Sequence, residues 1–314
     1  MCPRYSYSPT ARGGYMSLKT FEVALPSFDK LPEGVDLTGW GEPLLNPYLP
    51  TFIESLDHVT FTTNGHLLDS RWADRIVTNN VGAVAFSIDA SHGETYLFIH
   101  GRGDSDMIWR NVAGLRKARD FFEAKEPVIS LHFLMMKCNI KELPEFVERA
   151  ADAGADEAVA KHIAIFARPG QEKEALFTGY FDNVQPDVAL RDDMLAMAAE
   201  RATEAGIALR LIGSNVAKPT AGCFGAAPSR PFVAADGYVS PCCVLAHEVP
   251  RLSPAGKSHP APTLFFGNLH ESPLETIWRI PEYESFRKAL LNGEPPPQCR
   301  YCLGASSVTI GIEG

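Results

Sequence analysis

The chain has 314 residues, of which 45% are hydrophobic and 21% charged, and its formal net charge is −9. This composition is typical of a globular protein, and the length allows one large domain, or a medium domain with a small one. No run of Lys and Arg suggests a surface that tracks phosphates, which argues against nucleic acid as a partner. No apolar stretch approaches the roughly 18 residues needed to cross a bilayer, and residues 1–14 lack an apolar signal-peptide segment. We therefore expect a soluble, cytoplasmic protein with no membrane partner.

Short apolar runs alternate with amphipathic stretches over the first two-thirds of the chain. The predicted strands are Val35–Thr38, His58–Thr62, Ala83–Ile88, Val128–Leu134, Ala158–Ile165 and Ile207–Ile212. The predicted helices are Leu49–Leu56, Ser70–Asn79, Met107–Ala124, Ile140–Ala153 and Asp192–Ala205. This alternation indicates a parallel sheet with crossover helices, and such sheets usually place their chemistry at the C-terminal ends of the strands.

The pattern changes near Asn215, where Gly and Pro become frequent and helical signals thin out. One helix is predicted over Pro273–Leu291. The dipeptide Asp236-Gly237 is typical of a tight turn, and it joins two short predicted strands, Phe232–Ala235 and Tyr238–Ser240. We therefore predict a domain boundary near residue 216, with domains 1–215 and 216–314.

The cysteines are grouped in a way that suggests metal ligation. Their number is seven, and an odd number in a reducing compartment argues against a disulfide framework. Cys223 and Cys242 flank the predicted hairpin, and Cys299 and Cys302 form a C-x-x-C pair. Four thiolates suit either a tetrahedral zinc ion or the corners of an iron–sulfur cubane, and spacing alone does not decide between them. The adjacent Cys243 is expected to point elsewhere in an extended chain and not to be a ligand.

The C-terminal cysteines resemble those of a known domain. Cys223, Gly237, Cys242 and the C-x-x-C pair, with the text ADGYVSPCC at 235–243, resemble the SPASM/twitch-type auxiliary domain of radical S-adenosylmethionine (radical SAM) enzymes. The further cysteines of the full-length form are absent, so the resemblance implies one auxiliary 4Fe–4S cluster. Its expected ligands are Cys223, Cys242, Cys299 and Cys302.

The N-terminal part resembles the barrel of the same family at four strand ends. The segment TGWGEPLL at 38–45 resembles the Gly-rich turn that binds the methionine amino group of S-adenosylmethionine. The segment TTNG at 62–65 resembles the third-strand signature of the family, and SIDA at 87–90 resembles the segment that contacts the ribose. A fourth match, LMMKCN at 134–139, ends in a residue that serves equally well as a helix cap. Each motif alone also fits a plain turn or a helix cap, but together they occur in family order. The implied cofactor-binding residues are Gly39, Gly41, Glu42, Pro43, Asn64, Ser87 and Asp89.

The catalytic cluster motif of the family, C-x3-C-x2-C, is incomplete in this sequence. The opening residues MCPR resemble the end of that motif, with Cys2 as its third cysteine. The resemblance implies that two cysteines and the first strand lie upstream of Met1. Three explanations stay open: a start assigned too far downstream, a fragment, or a degenerate form without radical chemistry. The chain as written is not expected to hold the catalytic 4Fe–4S cluster stably, because one thiolate cannot replace three.

The expected fold is α/β, a partial (β/α)6 TIM-like barrel lacking its first strand, followed by a small cysteine-rich α+β domain. The implied activity is that of an oxidoreductase or maturase, which generates a 5′-deoxyadenosyl radical for hydrogen abstraction from a peptide, protein or small molecule. The implied partners are that substrate and an electron donor such as flavodoxin or ferredoxin. No catalytic acid or base is predicted, and His132, His162 and Lys161 are interpreted as packed polar residues. The alternative is a non-enzymatic zinc- or cluster-binding protein, including a partner subunit that has lost the S-adenosylmethionine chemistry.

Overall fold

A computed structural model describes the greater part of the chain. The described residues are 14–28, 34–79, 81–163, 170–174, 176, 188–216, 223, 227–248, 251–252, 258–259, 263–299, 302 and 307–311. The strands are β1 Val35–Asp36, β2 Val59–Thr63, β3 Ala83–Ser87, β4 Val128–Met135, β5 Glu157–His162, β6 Ala208–Val216, β7 Phe232–Val233, β8 Tyr238–Ser240, β9 Arg251–Leu252, β10 Ser258–His259, β11 Gly267–Asn268 and β12 Ser307–Gly311. The helices are α1 Leu18–Phe28, α2 Leu49–Glu54, α3 Ser70–Thr78, α4 Gly93–His100, α5 Ser105–Phe121, α6 Leu143–Asp152, α7 Val188–Ala205, α8 Leu274–Trp278 and α9 Pro281–Leu291.

The main sheet runs in chain order from β1 to β6, and each of these strands is parallel to the next. A helix or a longer connection separates successive strands, as parallel pairing requires. The predicted α/β architecture with a parallel sheet is therefore confirmed. The last strand of the sheet, β12, comes from the C-terminal end of the described chain and pairs antiparallel with β6. The domain boundary near residue 216 stays a prediction.

The two faces of the main sheet differ in polarity. On one face, alternate residues such as Phe61, Phe86 and Phe133 are fully buried in the larger hydrophobic core, which the helices cover. The residues between them point to the opposite, inner face, because side chains alternate along a strand. The register aligns Ser87 with His132 across β3 and β4, so polar side chains line the inner face.

The C-terminal part contains two small antiparallel sheets, one of β7, β8 and β11 and one of β9 and β10. The predicted hairpin is confirmed: β7 pairs with β8, and Gly237 at the turn has φ +85°, a conformation that glycine adopts without strain. The single helix predicted over Pro273–Leu291 is wrong, because the structure has α8 and α9 there. The break falls at Ile280, whose backbone is extended because the following Pro281 disfavours a helical conformation before it.

Several other boundaries differ from the predicted ones. The helices α1 and α4 were not predicted from the sequence, and the described part of strand Ala158–Ile165 ends at His162 as β5. Within the described residues, no helix is both long enough and apolar enough to span a membrane.

Candidate functional site

Glu42 joins the ends of the first two strands of the main sheet. Its Oε1 atom accepts hydrogen bonds from the Thr63 hydroxyl at 2.7 Å and from the Leu44 N–H at 3.2 Å. Its Oε2 atom accepts a hydrogen bond from the Asn64 N–H at 2.8 Å. A carboxylate has about four acceptor positions, so these three bonds leave about one for a ligand. Glu42 is therefore held in place and still able to accept a hydrogen bond from a bound ammonium group.

The residues around Glu42 shape the loop after β1. Pro43 begins a short 3-10 helix, Pro43–Leu45, whose first residues Glu42 caps. At Gly39, an added Cβ would meet only the Phe232 ring, at 4.0 Å. The Asn64 side chain turns back on its own loop, where its Oδ1 accepts a hydrogen bond from the His66 N–H at 3.0 Å. Asn64 thus reaches Glu42 through its backbone, and its side chain fixes the turn after β2.

Asp89 lies at the end of β3 and is almost wholly enclosed by protein. Its side chain is 3% exposed, and its backbone has φ +66°, a strained value for a residue other than glycine. The Leu134 N–H donates to Oδ1 at 2.8 Å, and the Ser87 hydroxyl donates to Oδ2 at 3.3 Å. Ser87 is half-buried. Of the two residues predicted to contact a ribose, Ser87 is the more accessible, and Asp89 orients it from behind.

Two residues that the sequence did not single out complete the surroundings of Asp89. His100 on α4 places its Nε2 atom 3.2 Å from Asp89 Oδ2, and its ring stacks on Tyr96 with centroids 4.4 Å apart. Burial, together with the negative charges of Asp89 and Asp104, raises the pKa of Tyr96 to about 12, so its hydroxyl stays neutral. The sequence signal available for this pair was the i, i+4 spacing of two ring-bearing residues.

Asn139 fastens the ends of β3 and β4 to each other. Its side chain is buried and donates hydrogen bonds of 2.8 Å to the carbonyl oxygens of Asp89 and Leu134. Its Oδ1 accepts a hydrogen bond from the Met136 N–H at 2.8 Å. The neighbouring Cys138 is half-buried, and burial with the nearby Glu174 raises the pKa of its thiol to about 12.

A Lys–His pair lies on the inner face of the sheet. Lys161 on β5 places its Nζ atom 3.0 Å from Nδ1 of His132 on β4. Burial lowers the pKa of Lys161, and burial with the positive charges of Lys161 and Arg210 lowers the pKa of His132 to about 3. His162 is the next residue on β5, so it points to the opposite face, where it is buried. Lys161 and His132 thus share the interior, and His162 does not.

The C-terminal cysteines share a second, smaller hydrophobic core with the residues around α8 and α9. Cys299 is buried in this core, and Cys223, Cys242 and Cys302 are partly buried against it. The Cys302 N–H donates to the Cys299 carbonyl oxygen at 2.9 Å, which closes a tight turn at the C-x-x-C pair.

The environment of Cys242 disfavours a free thiolate. Burial, with the nearby Cys243 and Cys302, raises the pKa of its thiol to about 12. A bound metal centre would be needed to keep it deprotonated at neutral pH. Among the described residues, no three His, Cys, Asp or Glu side chains are arranged to hold one metal ion. An iron–sulfur cubane needs a different arrangement, because each thiolate binds a separate iron atom. Four cysteines around one core fit that donor set. Cys2 lies outside the described residues.

Comparisons with known proteins match both parts of this arrangement. A family model described as an iron–sulfur cluster-binding domain, SPASM, matches residues 223–303, which include the four cysteines expected to be cluster ligands. A probable GTP 3′,8-cyclase of Methanocaldococcus jannaschii is 30% identical over 151 residues, or 46% of each chain. A tungsten-containing aldehyde ferredoxin oxidoreductase cofactor-modifying protein of Pyrococcus furiosus is 24% identical over 280 residues, which cover 87% of this chain and 75% of that protein. This chain carries a SPASM domain and is similar to radical SAM proteins.

Two solved structures share the fold of this chain. Native anSMEcpe with bound AdoMet aligns with a TM-score of 0.60 and 13% identity, over 93% of this chain and 80% of that one. SuiB from Streptococcus suis aligns with a TM-score of 0.57 and 13% identity, over 86% of this chain and 60% of that one. Identities this low support the fold alone. The chain spans less than half of the cyclase, 46% of its length.

Proposed function

We propose that this protein binds S-adenosylmethionine at the C-terminal edge of its parallel sheet and uses it to abstract hydrogen from a substrate. The observation that carries the proposal is Glu42, which is held by three hydrogen bonds at a strand end and retains about one acceptor position. An ammonium group is the ligand that such a position suits, and the methionine part of the cofactor offers one. The structure of anSMEcpe with bound AdoMet has the same fold, which supports the proposal.

Each motif residue has a part in this proposal. Gly39 and Gly41 let the backbone of the loop approach the cofactor closely, and Pro43 fixes the turn that presents Glu42. Asn64 contributes the backbone N–H that orients Glu42. Ser87 presents its hydroxyl to the ribose, and Asp89 holds that hydroxyl in place.

S-adenosylmethionine bound with a reduced 4Fe–4S cluster supplies a 5′-deoxyadenosyl radical, and the protein's part is to bind, orient and exclude water. The catalytic cluster needs three cysteines, of which we assign Cys2 as one. The auxiliary 4Fe–4S cluster is assigned to Cys223, Cys242, Cys299 and Cys302, on the support of the SPASM match and their shared core. Cys243 is assigned as a non-ligand.

The substrate is proposed to lie over the inner face of the sheet, and its class is a peptide or a small molecule. Structures of anSMEcpe and SuiB contain bound peptides, which supports the first class. A cofactor-modifying role in the name of the P. furiosus relative supports the second. The net reaction is proposed to be an oxidation or another modification, with electrons delivered by a flavodoxin or ferredoxin in the cytoplasm.

The test is cofactor loading and cofactor cleavage in one anaerobic preparation. Protein that includes all three cysteines of the C-x3-C-x2-C motif, reconstituted with iron and sulfide, is expected to bind iron with a broad visible absorption band and to form 5′-deoxyadenosine from S-adenosylmethionine under dithionite. Cys299→Ser should lower the iron content, whereas Cys138→Ser, at a thiol outside the C-terminal core, should not. Protein that holds only zinc and forms no 5′-deoxyadenosine under these conditions would refute the proposed function.

A further inference from the structure

Trp40 connects the Gly-rich loop after β1 to the C-terminal domain. Its indole ring stacks on the imidazole of His247, with ring centroids 4.4 Å apart and an interplanar angle of 28°. Its side chain also donates a hydrogen bond to the sulfur of Cys243. Beside it, Gly39 faces the ring of Phe232 on β7. One side of the loop therefore rests on the C-terminal domain.

The other side of the same loop is fastened to the barrel. Glu42 follows Trp40 by two residues and binds the end of β2 through Thr63 and Asn64. Few backbone torsions separate the two attachments. A displacement of the indole therefore also displaces the Glu42 carboxylate.

The contact on the C-terminal side falls next to the proposed cluster ligands. Cys243 directly follows Cys242, and Cys302 lies near the thiols of both residues. Four thiolates that bind a cluster must adopt one set of positions, and the chain segment at 242–243 is then fixed with them. The position of Cys243 in turn sets where the indole of Trp40 can lie.

We propose that Trp40 is a positioning residue that couples cofactor binding at the Gly-rich loop to cluster binding at Cys223, Cys242, Cys299 and Cys302. The proposal rests on the proposed function and adds to it a thermodynamic linkage between the cofactor site and the cluster site. Because binding free energies are reciprocal, a bound cluster increases the affinity for S-adenosylmethionine, and bound S-adenosylmethionine increases cluster retention by the same factor. Couplings of this kind typically change an affinity by about fivefold or more.

The experiment measures the dissociation constant of S-adenosylmethionine by calorimetry on the full chain in two states, freed of metal and loaded with iron and sulfide. The ratio of the two constants is the coupling factor. We expect a factor of about five or more for the wild type, about one for Trp40→Ala, and an intermediate value for Trp40→Phe, which retains the stack on His247. The matched control is Trp72→Phe, at a half-buried tryptophan on α3, which should retain the wild-type factor.

A residue that only stabilises the fold would change both dissociation constants together and leave their ratio unchanged. If Trp40→Ala does not fold, the test uses Trp40→Phe and His247→Ala. The second variant removes the ring stack from the side of the C-terminal domain. An undiminished factor in these variants at full iron content overturns the coupling. A factor of one in the wild type overturns it as well, while S-adenosylmethionine binding itself still supports the proposed function. Absence of S-adenosylmethionine binding in both states removes the proposed function and the coupling together.

Discussion

Replacement of Glu42 by Gln tests the assignment of the cofactor-binding loop most directly. The wild-type carboxylate accepts three hydrogen bonds from its own protein and keeps about one acceptor position for a ligand. The amide of Gln retains one oxygen acceptor and replaces the other with an NH2 group, which donates. In the Oε2 position that donor would face the Asn64 N–H, and in the Oε1 position it would face the Leu44 N–H; neither group can accept a hydrogen bond.

The magnitude follows from the loss of one hydrogen bond between charged groups. Such bonds contribute about 1.5–3 kcal/mol, and a factor of ten in affinity corresponds to about 1.4 kcal/mol. Glu42→Gln should therefore raise the dissociation constant for S-adenosylmethionine about 10- to 150-fold. Conflict with the Asn64 N–H should also lower the free energy of unfolding by about 1 kcal/mol.

The assay is calorimetric titration of cluster-loaded protein with S-adenosylmethionine, at a temperature at which circular dichroism shows both proteins folded. The matched control is Glu54→Gln on α2, whose carboxylate is 51% exposed and lies 3.9 Å from Arg75 Nε. This exposed ion pair contributes little, so the control should bind within about twofold of the wild type. A Glu42→Gln protein that is folded and also binds within that range would show that Glu42 does not receive the cofactor.

Three further predictions concern the stability of the barrel. Asp156→Asn breaks the 2.6 Å ion pair with buried Arg119 and should lower the free energy of urea unfolding by about 3 kcal/mol. Asp120→Asn, at an exposed carboxylate on α5, should lower it by less than about 0.5 kcal/mol. Equal losses in the two variants would contradict this prediction. Although burial raises the pKa of Asp156, hydrogen bonds from Arg119 and a backbone N–H lower it overall, so this contribution should disappear as the pH falls below about 4. His132 has its pKa lowered to about 3, so the unfolded chain binds the extra proton and stability should fall as the pH drops from about 6.5 towards 3. In His132→Asn this dependence should weaken by about 1.4 kcal/mol per pH unit, and an unchanged pH profile would exclude His132 as its source. Gly65→Ala should lower the free energy of unfolding by about 2 kcal/mol, because φ is +78° and the new Cβ would lie 2.7 Å from a side-chain carbon. An unaltered unfolding midpoint would show that the turn relaxes freely.

Local periodicity in the sequence was enough to predict most of the main sheet. The runs Ala83–Ile88 and Val128–Leu134 alternate with amphipathic helices, and both form strands within one residue of their predicted bounds. The hairpin at Gly237 was equally readable, because few residues other than glycine adopt its conformation. Such features depend on neighbours within a few positions of the chain.

The parts that were missed depend on distant partners. Strand β12 exists because its backbone pairs with β6, a segment about 100 residues earlier, and no local pattern encodes that pairing. The break between α8 and α9 is an exception, because it follows from a local signal: Pro281 disfavours a helical conformation at the preceding Ile280.

The sequence by itself determined which residue types stand at the strand ends and how the cysteines are spaced, because motifs of this kind need fixed residues at short separations. It therefore identified Glu42, Ser87 and the C-x-x-C pair as candidates. Only the tertiary structure decided their roles: Asp89 is enclosed behind Ser87, His132 meets Lys161 across two strands, and Trp40 meets Cys243 across two parts of the chain. The physical reason is that burial, hydrogen-bond occupancy and pKa depend on which segments pack together, and those segments are far apart in the sequence.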